Sequence, residues 1–109
     1  MQLSSNSSLY ELEFTKLFEE QFARLEKVDQ KRVYHKIQEL KLNPFRHKAL
    51  TGPFEGCFRI RIGNLRIIYM PVKSEKKVFL IDVDVRKRVY KKNISEIITQ
   101  IYEQTPSRK

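Results

Sequence analysis

The stretch Gly56-Cys57-Phe58-Arg59-Ile60-Arg61-Ile62-Gly63-Asn64-Leu65-Arg66-Ile67-Ile68-Tyr69 decides the fold. Apolar residues alternate with arginines on both sides of Gly63-Asn64, and a period of two is what a strand shows when one of its faces is buried. A two-residue turn containing Gly, which takes positive φ at no steric cost, closes the two runs into a β-hairpin. That turn sets the register: Ile62 faces Leu65, Arg61 faces Arg66, Ile60 faces Ile67, and Arg59 faces Ile68. Phe58, Ile60, Ile62, Leu65, Ile67 and Tyr69 then cover one side, while Arg59, Arg61 and Arg66 gather on the other.

Upstream of the hairpin the period is helical. Residues 9–14 alternate apolar and acidic and read as a first strand. From Thr15, an N-cap residue type, Phe18, Phe22 and Leu25 recur as one helical face requires, and Asp29 is placed to cap a second helix carrying Val33, Ile37 and Leu40. Asn43-Pro44 ends it, because the residue before a proline is pushed out of the helical region. The two helices are expected to form a hairpin, with a loop containing Thr51, Gly52 and Pro53 leading into the sheet.

Downstream, residues 71–77 form an exposed connection to a third run, residues 78–85. Phe79, Ile81, Val83 and Val85 are expected on the helix-facing side, leaving Leu80, Asp82, Asp84 and Arg86 with the arginines. Asn93 or Ser95 can cap a last short helix with Ile97, Ile98 and Ile101 on its apolar side. The order is β-α-α-β-β-β-α: an α+β domain with an antiparallel-rich sheet packed on an α-hairpin. Its expected limits are residues 9–104, between a loose polar tail at 1–8 and a short tail at 105–109.

Composition narrows the function classes. At 109 residues and 40% hydrophobic content, with five Tyr and seven Phe, the chain supports one core and one domain. No run approaches the roughly 20 apolar residues of a membrane span, and the opening residues lack the pattern of a secretory signal, so a soluble cytoplasmic protein is the expectation. A single cysteine, Cys57, and two histidines, His35 and His47, give no metal-ligand spacing and no internal disulfide. No cofactor is expected.

The net charge is +9, and it is lopsided. Residues 1–55 carry nine Lys or Arg against eight Asp or Glu, whereas residues 56–109 carry thirteen against five. Such a field draws polyanions over about 8 Å at physiological salt, which makes nucleic acid the obvious partner. Arg61 across from Arg66 is a like-charge pair that needs an offset. Asp82 and Asp84 can supply it as surface ion pairs, or a bound phosphate can, since guanidinium groups donate to it bidentately. The four-arginine face is expected to be solvent-exposed, so that removing Arg61 or Arg66 leaves the fold intact. Beyond it, Arg86-Lys87-Arg88-Val89-Tyr90-Lys91-Lys92 places five basic residues around one tyrosine. It reads either as a solvated loop or as a contact for single-stranded RNA, with a base stacked on Tyr90 and phosphates held by Lys87, Arg88, Lys91 and Lys92.

These residues resemble the RelE/ParE superfamily of toxins that pair with an antitoxin. The resemblance covers about residues 9–102. It rests on Leu42-Asn43-Pro44, Leu50 with Gly52, the central hairpin, and Val85-Arg86 followed by Val89-Tyr90. It implies a RelE-like fold and a metal-independent endonuclease that cuts messenger RNA in the A site of the small ribosomal subunit, against 16S rRNA, by attack of a ribose 2′-hydroxyl on its own phosphate. Arg59 and Arg61 match two basic residues of the family's strand, Arg66 its phosphate-holding arginine, and Arg86 and Tyr90 the remaining arginine and tyrosine. Where some members carry lysines, Arg59 and Arg61 stay protonated and read as charge stabilisers. Two residues fewer separate Arg86 from Tyr90 than in certain members. The implied partners are a RelB-like antitoxin, in a heterodimer or heterotetramer, together with the ribosome and mRNA. The rival branch, ParE, shares the fold and poisons DNA gyrase; a third reading is an RNA-binding protein without catalysis.

Overall fold

The structure is a computed structural model and describes residues 9–105. The expected loose segment 1–8 lies outside them, as does most of the short C-terminal one. Strand β1 (Glu11–Phe14) is followed by helices α1 (Lys16–Ala23) and α2 (Lys27–Gln38), the short strand β2 (Lys48–Ala49), and the strands β3 (Phe58–Ile62), β4 (Leu65–Val72) and β5 (Lys77–Val85). A one-turn helix α3 (Arg86–Val89) and helix α4 (Ser95–Glu103) complete the described chain. Turns of 3-10 helix at Glu39–Lys41, Gly52–Phe54 and Lys73–Glu75 join them. The sheet has the order β1-β5-β4-β3-β2; β1 runs parallel to β5, and the other neighbours are antiparallel.

The hairpin forms as its sequence requires. Ile62 pairs with Leu65, Arg61 with Arg66, Ile60 with Ile67 and Arg59 with Ile68, and Gly63 takes φ +56°. Its apolar face meets α1 and α2 in a core of Phe18, Val33, Ile37, Leu40, Ile60, Ile67 and Tyr69. Thr15 caps α1 by accepting from the Phe18 N–H at 3.1 Å, and its own hydroxyl reaches the Leu80 and Ile81 carbonyls of β5. Helix α2 begins earlier than expected. Glu26 occupies its N-cap position and accepts from the Gln30 N–H, while Asp29 sits in the first turn, facing Arg32 at 3.0 Å. A carboxylate there favours the positive end of the helix without capping it.

The third strand departs from strict alternation. Between Ile68 and Tyr69 the partner of β4 jumps from Asp82 to Leu80, so Ile81 is an unpaired bulge residue. One extra residue inverts the parity on one side of it. Val83 and Val85 lie with the helix-side core as expected, but Leu80 joins them there, whereas Phe79 and Ile81 turn to the opposite face. That face is not bare. Helix α4 lays Ile98 and Ile101 over Cys57, Ile68, Met70, Val72 and Ile81 in a second apolar layer, which Val89 and Ile94 also join. The sheet is therefore covered on both sides, and the arginines occupy only the end of this face next to the Gly63-Asn64 turn. Two expected loops are also structured. The segment before the Thr51 turn pairs as β2, and the start of the basic run folds as α3, anchored by fully buried Val89. Thr105 is buried, and its hydroxyl donates to the Ile101 carbonyl, so the α4 end includes a residue read as tail.

Candidate anion-binding site

Three elements bring the site together. Strand β3 carries Arg59 and Arg61, β4 carries Arg66, and α3 with the turn after it carries Arg86 and Tyr90. The Arg86 N–H donates to the Asn64 carbonyl at 3.1 Å, which ties the start of α3 to the hairpin turn. All five groups share one field. Burial pushes the Arg66 guanidinium down from its ordinary value, the charges of Arg61, Arg59 and Arg86 push it the same way, and Tyr90 opposes them.

Exposure differs sharply along the cluster. Arg61 and Arg86 are exposed, Arg59 and Tyr90 are half-buried, and Arg66 retains 5% of its surface. The uniformly exposed face expected from alternation is thus wrong at its centre, because α3 and Tyr90 pack beside it. Arg66 uses one terminal nitrogen, Nη1, to donate to the Gly63 and Leu65 carbonyls at 3.1 and 3.0 Å. Its Nε has no partner, nor does the Nε of Arg59 or the hydroxyl of Tyr90, although all three atoms are buried. A buried donor without an acceptor costs roughly 1–3 kcal/mol, and an oxygen-rich ligand within reach of these three would remove that cost.

The acids of this face are already committed elsewhere. Lys92 Nζ lies 2.9 Å from Asp82 and 2.8 Å from Asp84, and Arg88 Nε lies 3.2 Å from Asp84. Asp84 also accepts from the Val85 N–H at 2.7 Å. Burial raises Asp82 above the usual carboxylate range against the pull of Lys92. For Asp84 burial acts in the same direction but is outweighed by Lys92, the Val85 N–H and Arg88, and its carboxyl sits below that range. None of Arg59, Arg61, Arg66 and Arg86 takes part in an ion pair among the described residues. Of the four residues assigned to RNA contact, Lys87 and Lys91 stand exposed on the surface, while Arg88 and Lys92 hold the internal acids.

Two neighbours escaped the sequence reading. Lys48 of β2 stands directly across from Arg59, so it adds a cation to the same face. A two-residue strand has no period from which to read it. Phe54 meets the Tyr90 ring edge-on at 5.8 Å and fixes its plane. Other candidate groups lie elsewhere. His47 faces Tyr69 on the helix side, His35 is exposed on α2, and Cys57 is fully buried with its thiol pushed up to about 12 by burial. Among the described residues no three His, Cys, Asp or Glu side chains are grouped to hold a metal ion. No helix there is long and apolar enough to cross a membrane.

The molecule is a small α+β domain whose sheet presents guanidinium groups without internal acids beside a tyrosine. Residues 12–90 match the family model described as the ParE toxin of type II toxin-antitoxin systems, and the chain belongs to this family, within the RelE/ParE superfamily. Its fold is that of RelE toxins. A RelBE toxin-antitoxin complex from Mycobacterium tuberculosis superimposes with a TM-score of 0.66 at 25% identity, over 72% of this chain and 92% of that one. A doubly substituted E. coli toxin RelE in the free state gives 0.70 at 20% identity, over 82% and 98%. The archaeal RelE-RelB complex from Pyrococcus horikoshii gives 0.63 at 21%, over 74% and 99%. No curated protein matches the sequence.

Proposed function

We propose that this toxin is a metal-independent endoribonuclease that cleaves messenger RNA in the ribosomal A site and so arrests translation. The observation that carries the proposal is the convergence of three buried, unpartnered donors, from Arg59, Arg66 and Tyr90, among arginines that no acid of the described residues neutralises. The chemistry asked of them is in-line cyclisation. A ribose 2′-oxygen attacks the adjacent phosphorus, the bond to the 5′-oxygen breaks, and the products end in a 2′,3′-cyclic phosphate and a 5′-hydroxyl. Guanidinium groups stabilise the charge that builds on the phosphorane oxygens, and this is where preorganised donors act most strongly. Arg66, held rigid by two carbonyls, grips the scissile phosphate; Arg61 and Arg86 supply mobile charge, and Arg59 the neighbouring contact. Tyr90, its ring braced by Phe54, orients the nucleotide through its hydroxyl. Lys87 and Lys91 extend the contact along the strand, with Arg88 at its margin.

No histidine or carboxylate stands ready as a general base at this site, so the free protein is a poor nuclease and the ribosome completes the alignment. The cytoplasm is its place of action. A RelB-like antitoxin, forming a heterodimer or heterotetramer, is the expected partner, since solved relatives are RelB-RelE complexes. It acts by covering the basic face or by displacing α4.

Brief induction of the toxin should create new 5′ ends inside codons of translated messages, and Arg61→Ala should abolish them. The family description, ParE toxin, supports a second reading in which the target is DNA gyrase. Loss of negative supercoiling with intact messages would establish that reading and overturn the first.

A further inference from the structure

Asp84 lies directly across from Arg66 in the β4–β5 register, yet the two do not pair. Opposite side chains on one sheet face start about 4.5–5.5 Å apart at Cβ, well within reach of an arginine and an aspartate. Instead Arg66 turns to the Gly63 and Leu65 carbonyls, and Asp84 turns the other way, to Lys92 at 2.8 Å and Arg88 at 3.2 Å. Lys92 also holds Asp82, which is wholly buried, at 2.9 Å. Of the two cations on Asp84, Arg88 has a side chain 69% exposed, whereas that of Lys92 is 24% exposed. Screening by solvent weakens the first and leaves Lys92 as the principal counter-charge.

We propose that Lys92 is a positioning residue that keeps the phosphate cradle open by holding Asp84 off Arg66. Without it, Oδ1 of the carboxylate keeps the Val85 N–H and the exposed Arg88, while Oδ2 is released and gains most by turning to the buried cation directly across the register, Arg66, whose Nε is vacant. An internal acid then sits where the phosphate of single-stranded RNA would sit, and the site closes by self-neutralisation. The ligand's identity rests on the nuclease reading above; the competition between Asp84 and a phosphate does not.

The test is equilibrium binding of a short single-stranded RNA, 2′-O-methylated throughout so that it cannot cyclise, to the full chain at fixed salt. Lys92→Met should weaken binding about tenfold, the loss of roughly one charge-assisted hydrogen bond. Asp84→Asn should bind at least as tightly as the parent. The double variant Lys92→Met/Asp84→Asn should return to within about twofold of Asp84→Asn, since the competitor has gone. Asp82→Asn in the Lys92→Met background should not rescue, because Asp82 stands across from Ile68. Should Lys92→Met fail to fold, Lys92→Gln, which keeps a donor but no charge, should show the same loss. Unchanged binding by Lys92→Met overturns the proposal. So does a double variant as weak as the single one, which would mean that Lys92 touches RNA directly or merely props α3. Equal rescue by Asp82→Asn also overturns it, as does a parent that binds no RNA. Binding without cleavage on ribosomes would fell the nuclease activity alone.

Discussion

Arg66 and Arg61 face each other across the hairpin, yet they will answer differently to the same substitution. Arg61 is exposed and carries no side-chain hydrogen bond among the described residues, so Arg61→Ala should leave thermal stability unchanged while abolishing cleavage. Arg66 is 5% exposed and bonded to two carbonyls, so Arg66→Ala should also cost about 1–3 kcal/mol of stability. A thermal melt reads this as a fall of roughly 4–8 °C per kcal/mol for a domain of this size. His47 gives the pH signature. Its pKa is lowered by burial first, then by Arg46 and Lys36, with Glu39 opposing, so the unfolded chain binds the proton more readily than the native one. Its contribution is therefore fully present above the unfolded value of 6.5 and lost as pH falls through the lower native value. His47→Gln should flatten that part of the stability profile. Cys57, with its thiol raised to about 12, should resist a thiol reagent at pH 8 until denaturant is added. Rapid labelling of the native protein would contradict this burial.

At the scale of elements, the hairpin was legible in every pair because alternation and a Gly-containing turn over-determine its register. The facing of β5 was legible only from Asp82 onward. A bulge inserts a residue without changing the apolar character of the run, so Leu80 and Phe79 exchanged faces with no signal in the sequence. Strand β2 was invisible for its length, and α3 because its four residues fold through one buried contact, Val89, and the tie from Arg86 to Asn64. The placing of Arg59, Arg61 and Arg66 on one face followed from parity, since the hairpin pairs lie outside the bulge, whereas Arg86 and Tyr90 come beside them through α3 and the turn after it. The burial of Arg66 did not follow, because it depends on α3 and Tyr90 returning to β4 from a later part of the chain. Helix α4 also makes a demand on a glycine. At Gly56, φ is +92°, and a Cβ would lie 2.8 Å from the Tyr102 hydroxyl. Gly56→Ala should therefore destabilise the protein by about 1–3 kcal/mol, seen as a lower midpoint of urea unfolding with unchanged slope.

For the whole molecule, the useful charge is what remains after internal pairing. Asp82 and Asp84 are neutralised by Lys92 and Arg88, which leaves exposed Arg61 and Arg86, half-buried Arg59 and buried Arg66 without an acid among the described residues, with Lys48, Lys87 and Lys91 exposed around them. With three or four of these on phosphates of a single strand, log K for RNA should fall against log salt with a slope of about −2 to −3. A flat response would leave the cluster without a polyanion to hold.

Strand β1 lies parallel to β5, joining the first described residues of the chain to residues 77–80. During synthesis the N-terminal strand therefore waits, with its partner still unmade, until most of the domain has left the ribosome. Arg86, Tyr90 and Lys92 emerge later still. A nascent copy carries its first arginines long before it owns a finished cradle, so the cluster is assembled only once the chain has been nearly spelled out.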